Sequence, residues 1–589
     1  MRVPRVALPI ALLSLVTFGW GQTVDHNAKL RHIGTVTLSS DNSAPESGLI
    51  GSGPEEDEKF DKPQITGSNQ LARVSAAHVP TPAGTAMGSA PFFGFSGLNN
   101  YLQATAYSGP NGYQFNLEPP DLGLAAGNGF VVETVNNAIA VYDPTNGTRL
   151  ARAALNYFFG LAPAVTIVGS TTTYGPFVSD PRAFYDWQQQ RFYVTELMIE
   201  RDPVTGNLGT HSAFLIAVSQ TADPTGLWDI YSHDTSQDGD SRFGACPCFG
   251  DQPLVGFDAN GIYVSTNAFS ITDGFRGAQV YAIDKNALLT NAGGSVDAVR
   301  IHDLNSAEGP AYSIQPATTP PGGTYDSSNG GTEYFMSALD YTGTVDNRLA
   351  VWALTNTSSL ADATPSVSLQ VKIIGTQSYG MPPDMQQKDG PLPLRDTLRS
   401  VYNLNNHLEL VTSNDDRMQQ VVYAAGKLWT GLTTAVQTHN GPVRAGAAWF
   451  IVSPSWSGSS LNASVSKQGY LAINSSDQNN VAFPSIGVNA NGMGAISVTV
   501  VGQSYYPSTA IAPISLSGAG ALTITGPGPV PDDGFSGYAP YGYRSGRWGD
   551  YSSATADENG NIWLANANTS TQRTIYANWS TFITKYTPQ

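Results

Sequence analysis

The sequence predicts an all-β protein: a β-propeller, most simply of seven blades with six or eight as the alternatives, preceded by a flexible N-terminal leader. Three observations predict it. The composition is β-rich and turn-rich, with 61 Gly, 38 Pro and 27 Tyr in 589 residues and only 13% charged residues, which suits strands and tight turns rather than helices. Short apolar strands are separated throughout by Gly, Asn, Asp and Pro turns. A chain of roughly 490 residues with this pattern is too long for one sandwich, and a frame recurs at intervals near 70 residues, long enough for four strands with loops.

In chain order, residues 1–21 read as an export signal. Arg2 and Arg5 precede the apolar run VALPIALLSLVTFGW, and Gly19 and Gly21 are the small residues a signal peptidase needs before Gln22. The run is shorter than a spanning helix needs, which sets this reading above a signal anchor. Residues 22–95 form the leader, where SAPESGLIGSGPEEDEKFDKP and HVPTPAGTAMGSAP are rich in Pro, Gly, Ser and acids and lack apolar periodicity. Within it RHIGTVTLSS is a candidate strand able to dock on the body.

The propeller occupies residues 96–589. Its repeat is a turn residue, an Asp, a further turn and an alternating strand. PPDLGLAAGNGFVVETVN supplies Asp121, VSDPRAFYDWQQQRFYVTE Asp180, FGDQPLVGFDANGIYVSTN Asp251, and WGDYSSATADENGNIWLANAN Asp550. Looser copies fall at Asp415 and near Asp326, and AFPSIGVNANGMGAISVTV has Ser485 in the Asp position. D-A-N-G (258–261) and D-E-N-G (557–560) read as hairpin turns rather than calcium loops. Helix candidates are confined to 284–292 and 394–404.

The formal charge is −17, and −19 once Arg2 and Arg5 leave with the signal. So acidic a chain, without a basic stripe, excludes nucleic acid and anionic membrane as partners. Cys246 and Cys248 are its only cysteines. They sit in ACPCF, which looks like an insertion between RFG and GDQ when aligned with RWGD (547–550). In an exported protein they are expected to form a disulfide with each other, stapling the loop beside Asp251.

If each repeat Asp opens an inner strand, Asp121, Asp180, Asp251, Asp415 and Asp550 ring the axis. Such carboxylates serve either as strand-start caps repeated for structural reasons, or as a ligand site with two acids for glycosidic cleavage. Arg242 and Arg547 precede the Gly-Asp of their repeats, as clasps between blades or as guanidiniums for a ligand. Tyr551 adds a flat ring to the same loop for holding a sugar. Asp234, Asp238 and Asp240 in HDTSQDGDS are the weak candidate for Ca2+, the only cofactor considered, and a solvated acidic loop is the competing reading. The His residues form no zinc motif, and nucleophile-elbow and phosphate-loop motifs are absent from the sequence.

The motifs PPDLGLAAGNGFVVETVNNAIAVYD, FGDQPLVGFDANGIYVSTNAF and RWGDYSSATADENGNIWLANAN resemble the blade motifs of large secreted bacterial propeller proteins whose propeller is described as sialidase-like. The resemblance spans about residues 115–589 and implies fold and export more than activity. Sialidases carry S-x-D-x-G-x-x-W boxes and an arginine triad. Neither is found here, although Arg182, Arg242, Arg544 and Arg547 offer guanidiniums. The expected function is a secreted scaffold that binds a glycan or an extracellular protein. The alternative is a glycoside hydrolase or polysaccharide lyase using Asp251 and Asp550. An enzyme requires a few special residues at unlike positions of different blades, and a scaffold does not.

Overall fold

The computed structural model describes residues 22–38, 50–52, 78–272, 274–290, 293–306, 309–339, 345–402, 404, 408–438, 441–473, 478–538 and 545–589. The expected signal, residues 1–21, lies outside the described residues, as do Arg544 and most of the leader between 39 and 77.

The protein is an all-β propeller. Two strands come first, β1 (Thr23–Thr37) and β2 (Phe93–Asn99). Seven antiparallel meanders follow among the described residues. Their first strands are β3 (Gly123–Gly127), β4 (Phe177–Asp186), β5 (Cys248–Phe257), β6 (Gln315–Thr318), β7 (Val421–Ala424), β8 (Asn480–Val488) and β9 (Ser553–Ala556). Each first strand touches the next, and β9 touches β3, so these strands surround one axis. The ring is closed through hydrogen bonds by β2. It pairs antiparallel with Trp579–Tyr586, from Phe93 opposite Lys585 to Asn99 opposite Ser580, and so becomes the outer strand of the last sheet. Glu133, fully buried in the first sheet, fastens this closure by accepting from the Leu98 N–H, the Thr581 hydroxyl and the Tyr142 hydroxyl.

The leader is not unstructured throughout, as expected from composition. β1 lies between the outer strands of two neighbouring sheets, pairing with Leu227–Asp234 on one side and Ser295–His302 on the other, and joins them into nine strands. Its residues 31–37 belong to RHIGTVTLSS, the segment singled out as able to dock. Its pairing satisfies two sheet edges that would otherwise present open N–H and C=O groups, and it buries Ala28 and Leu30.

The core fills the spaces between sheets with the apolar face of each strand. Phe184 of β4 stacks on Phe257 of β5 with ring centroids 5.0 Å apart, and Phe158 meets Trp228 edge-on at 5.1 Å. The two expected helices are short, Lys285–Thr290 and Pro393–Tyr402. The D-x-N-G hairpins are turns as expected: the Asp258 carboxylate accepts from Asn260 N and Gly261 N at 2.8 and 2.7 Å, and Asp557 does the same for Asn559 and Asn561.

Candidate functional site

Every sheet approaches the axis through one residue with positive φ. These residues are Asp121 (40°), Asp180 (61°), Gln252 (47°), Ser313 (45°), Asn414 (55°), Phe483 (52°) and Gly549 (143°). In β4, β5 and β8 this step is a bulge that skips two residues of the ladder, which re-aims the side chains that follow. The step defines a common register, and in it the repeat Asp residues are not equivalent. Asp121 and Asp180 occupy the left-handed position itself. Asp251 stands one residue before it, Asp415 and Asp550 one residue after, and Ser485 two after. Asp326 has no axial role: it lies in an outer turn, accepting from Ser328 N and the Tyr334 hydroxyl, and Ser313 takes the axial place of that sheet.

These unlike positions bring the carboxylates to one place. Oxygens of Asp121, Asp180 and Asp550 all lie within 4.8 Å of one another. Asp121 accepts from the backbone N–H of Asp550 and, at 2.6 Å, from the Asn136 amide. Asp180 accepts from Gln252 N at 3.3 Å and shares a hydrogen bond with the Asp251 carboxyl. Asp550 receives the side-chain amides of Gln252 and Asn414, each at 2.7 Å. Three guanidiniums stand among them. Arg547 and Arg417 lie 3.7 and 3.8 Å from Asp550, and Arg417 also holds Asp415 at 2.9 Å. Arg182 lies with its central carbon 3.3 Å above the Tyr551 ring.

Burial and crowding dominate the electrostatics. Burial, then the charge of Asp550, pushes Asp121 up to about 7. Burial, then Asp251, Asp121 and Asp550, raises Asp180 well above the carboxylate range. Glu196, opposite the β4 bulge, is raised by burial and by Asp180. Burial lowers Arg182 against the pull of its acidic neighbours. Arg417 rises although burial opposes it, because Asp415, Tyr312 and Asp550 favour its charge. The hollow beside these groups is lined by Pro119, Asn136, Ser179 and Arg547 together with the three aspartates. A second hollow between the first strands is lined by Leu124, Phe257, Thr318, Gln420, Val488 and Thr555, a mixture of apolar and polar side chains.

Other expected site residues fall elsewhere. Arg242 is not axial. It forms a local pair with buried Asp240 and leaves over two-fifths of its side chain exposed. Asp234, Asp238 and Asp240 do not converge as a calcium loop. Asp238 is taken by His233, Tyr281 and Arg300, Asp240 by Arg242, and Asp234 is exposed beside His211. The three Asp side chains point to separate partners because the strand Leu227–Asp234 ends before the loop turns.

Cys246 and Cys248 are joined, with Sγ atoms 2.01 Å apart. The bridge packs on Gly239, where a Cβ would come within 2.7 Å of the Cys246 sulfur, and Cys248 opens β5 three residues ahead of Asp251.

Sequence reasoning missed Arg417, Glu196, Gln252, Asn414 and Gln419 as axial groups. The available signal was the second position after the repeat Asp: D-P-R places Arg182 and D-D-R places Arg417.

No family model and no curated protein matches the chain. Among solved structures it is similar to an exo-β-1,3-galactanase from Clostridium thermocellum, at 11% identity over 79% of this chain and 93% of that one, TM-score 0.27. An α-L-arabinanase from Penicillium chrysogenum in complex with arabinobiose shares 11% identity over 68% and 92%, TM-score 0.26. Hsv2 of Kluyveromyces lactis shares 7% over 69% and 97%, TM-score 0.23.

Proposed function

We propose that the protein is a carbohydrate-active enzyme that cleaves glycosidic bonds at the axial mouth, and that it works outside the cytoplasm after export. One observation carries this reading. The groups at the mouth break the symmetry of the repeat, with Asp121 and Asp180 in one register position, Asp550 in another, and Arg417 and Arg547 supplied by single sheets. Structural caps would recur alike in every sheet; converging unlike residues are what chemistry needs. Paired carboxylates are the equipment for glycosidic cleavage, and the arginines orient sugar hydroxyls or a uronate. Asp550 and Arg547 keep 18% and 24% of their side chains exposed, so they meet the substrate first. A glycan-binding scaffold is the competing function.

The test compares mature protein with Asp550→Asn on a panel of plant and microbial polysaccharides, reading released reducing ends, alongside binding on a glycan array. Turnover that falls at least ~100-fold in the variant, with array binding kept, supports the enzyme. Array binding without turnover on any polysaccharide overturns it in favour of the scaffold.

A further inference from the structure

The axial cluster gathers more acidic groups than its own arginines would balance if all were ionised. Asp121, Asp180, Asp251, Asp415, Asp550 and Glu196 face three cations, Arg182, Arg417 and Arg547. All six acids except Asp550 are more than nine-tenths buried. Burying like charges together is among the costliest arrangements in a protein unless a proton or a metal ion intervenes.

Two oxygen-bearing side chains at the cluster are unsatisfied. Neither carboxyl oxygen of Glu196 has a hydrogen-bond partner among the described residues, and the residue is fully buried with Asp180 as the charge acting on it. Gln419, 2% exposed, donates its amide N–H to the Asp550 carbonyl at 3.0 Å while its own Oε1 has no partner among the described residues. A buried amide or carboxyl oxygen left without a donor is costly, and a cation supplies the missing positive partner.

We propose that Asp121, Asp180 and Asp550 hold a calcium ion at the propeller axis. The donor set is all oxygen, without His or Cys, which selects a hard cation. The three aspartate oxygens lie within 4.8 Å of one another, close enough to share one ion, and three protein carboxylates suit Ca2+, whereas Mg2+ keeps several waters and takes one or two. The hollow beside them is small, about 20 Å3. That is room for an ion or one to two waters and too little for a sugar ring. The ion ties the first, second and last sheets together, and it fixes Asp550 for whatever meets it at the mouth. This assignment deepens the reading of the axis as the functional centre, and its test reads binding rather than hydrolysis.

The experiment is calorimetric titration of CaCl2 into EDTA-treated, dialysed mature protein, with Tb3+ luminescence sensitised by Tyr551 as a second readout. The variants are Asp121→Asn and Asp180→Asn. Asn adopts positive φ more readily than most residues, so both keep the backbone step, and circular dichroism checks that they fold. The expected result is one Ca2+ per chain, bound at least tenfold more weakly by either folded variant, and Mg2+ at least tenfold weaker than Ca2+. Absence of binding at millimolar Ca2+, binding unchanged in both variants, or equal affinity for Mg2+ overturns the assignment. Calcium binding without any hydrolysis leaves the site standing and removes only the enzymatic reading.

Discussion

The guanidinium of Arg182 lies 3.3 Å over the ring of Tyr551, joining the second sheet to the last across the axis, and the Tyr551 hydroxyl donates to the Pro181 carbonyl at 3.1 Å. Arg182 is thereby held flat against an aromatic face while its charge faces Asp180, Asp121 and Asp550. Tyr551 is therefore a fastening of the axial cluster as well as part of its wall.

This fastening separates two substitutions. Tyr551→Phe removes one hydrogen bond and keeps the ring, so it is expected to cost about 1 kcal/mol. Tyr551→Ala also removes the cation–π contact and leaves a cavity, for about 3–5 kcal/mol. Urea denaturation of both variants checks this, and equal losses would show that the stacking contributes nothing.

The leader strand gives a second expectation. Leu30 of β1 is fully buried, packed where two sheets meet, while Ile33 of the same strand is 47% exposed. Leu30→Ala is expected to lower stability by about 2–5 kcal/mol and Ile33→Ala by less than ~0.5 kcal/mol. If both variants denature at the wild-type midpoint, β1 is an ornament and not part of the cooperative unit.

A third concerns the only lysine buried between the second and third sheets among the described residues. Lys285 donates to Asp186 at 2.8 Å and to the Asp258 carbonyl at 2.9 Å, with both side chains almost wholly buried. Lys285→Met strands the Asp186 carboxylate without its counter-charge and is expected to cost about 3–5 kcal/mol. Adding Asp186→Asn removes the stranded charge and should recover more than half of that. A double-mutant cycle measures it, and strictly additive losses would show that the two groups act independently.

The fold was legible because its signal is repetitive. Alternating strands such as GIYVSTN and the D-x-N-G turns are local patterns, and each says the same thing about every sheet. The docking of RHIGTVTLSS was visible as a strand, but its place between two sheets was not, because pairing partners some 200 and 270 positions away leave no mark in local sequence. At the site, Asp121, Asp180, Asp251, Asp550, Arg547 and Tyr551 were found because they carry the repeat motif. Their register was not, since a bulge moves a side chain by one position without changing the motif around it. Arg242 looked equivalent to Arg547, yet Asp240 two residues earlier captures it, and one nearby carboxylate is enough to redirect a side chain. Glu196 was missed because nothing local distinguishes a strand Glu facing the axis from one facing solvent.

The last expectation is a pH dependence located away from the axial cluster. Asp532 is 4% exposed and is pushed up to about 7 by burial and then by the adjacent Asp533, with Arg573 opposing. The unfolded chain ionises this group near 4. Because the folded value is the higher one, its contribution to stability is fully present below about pH 4 and is lost as the pH rises through about 7. Asp532→Asn cannot ionise. It should therefore match wild type at pH 4 and exceed it at pH 8, by on the order of 4 kcal/mol if the whole shift is expressed. Urea denaturation at pH 4, 5.5 and 8 reads this directly. A constant difference across the three values would mean that Asp532 titrates in the folded protein as it does in the unfolded chain, with Arg573 offsetting its burial, whereas a difference that opens progressively between about pH 4 and 7 and is half open at pH 5.5 locates the titration in this one carboxyl.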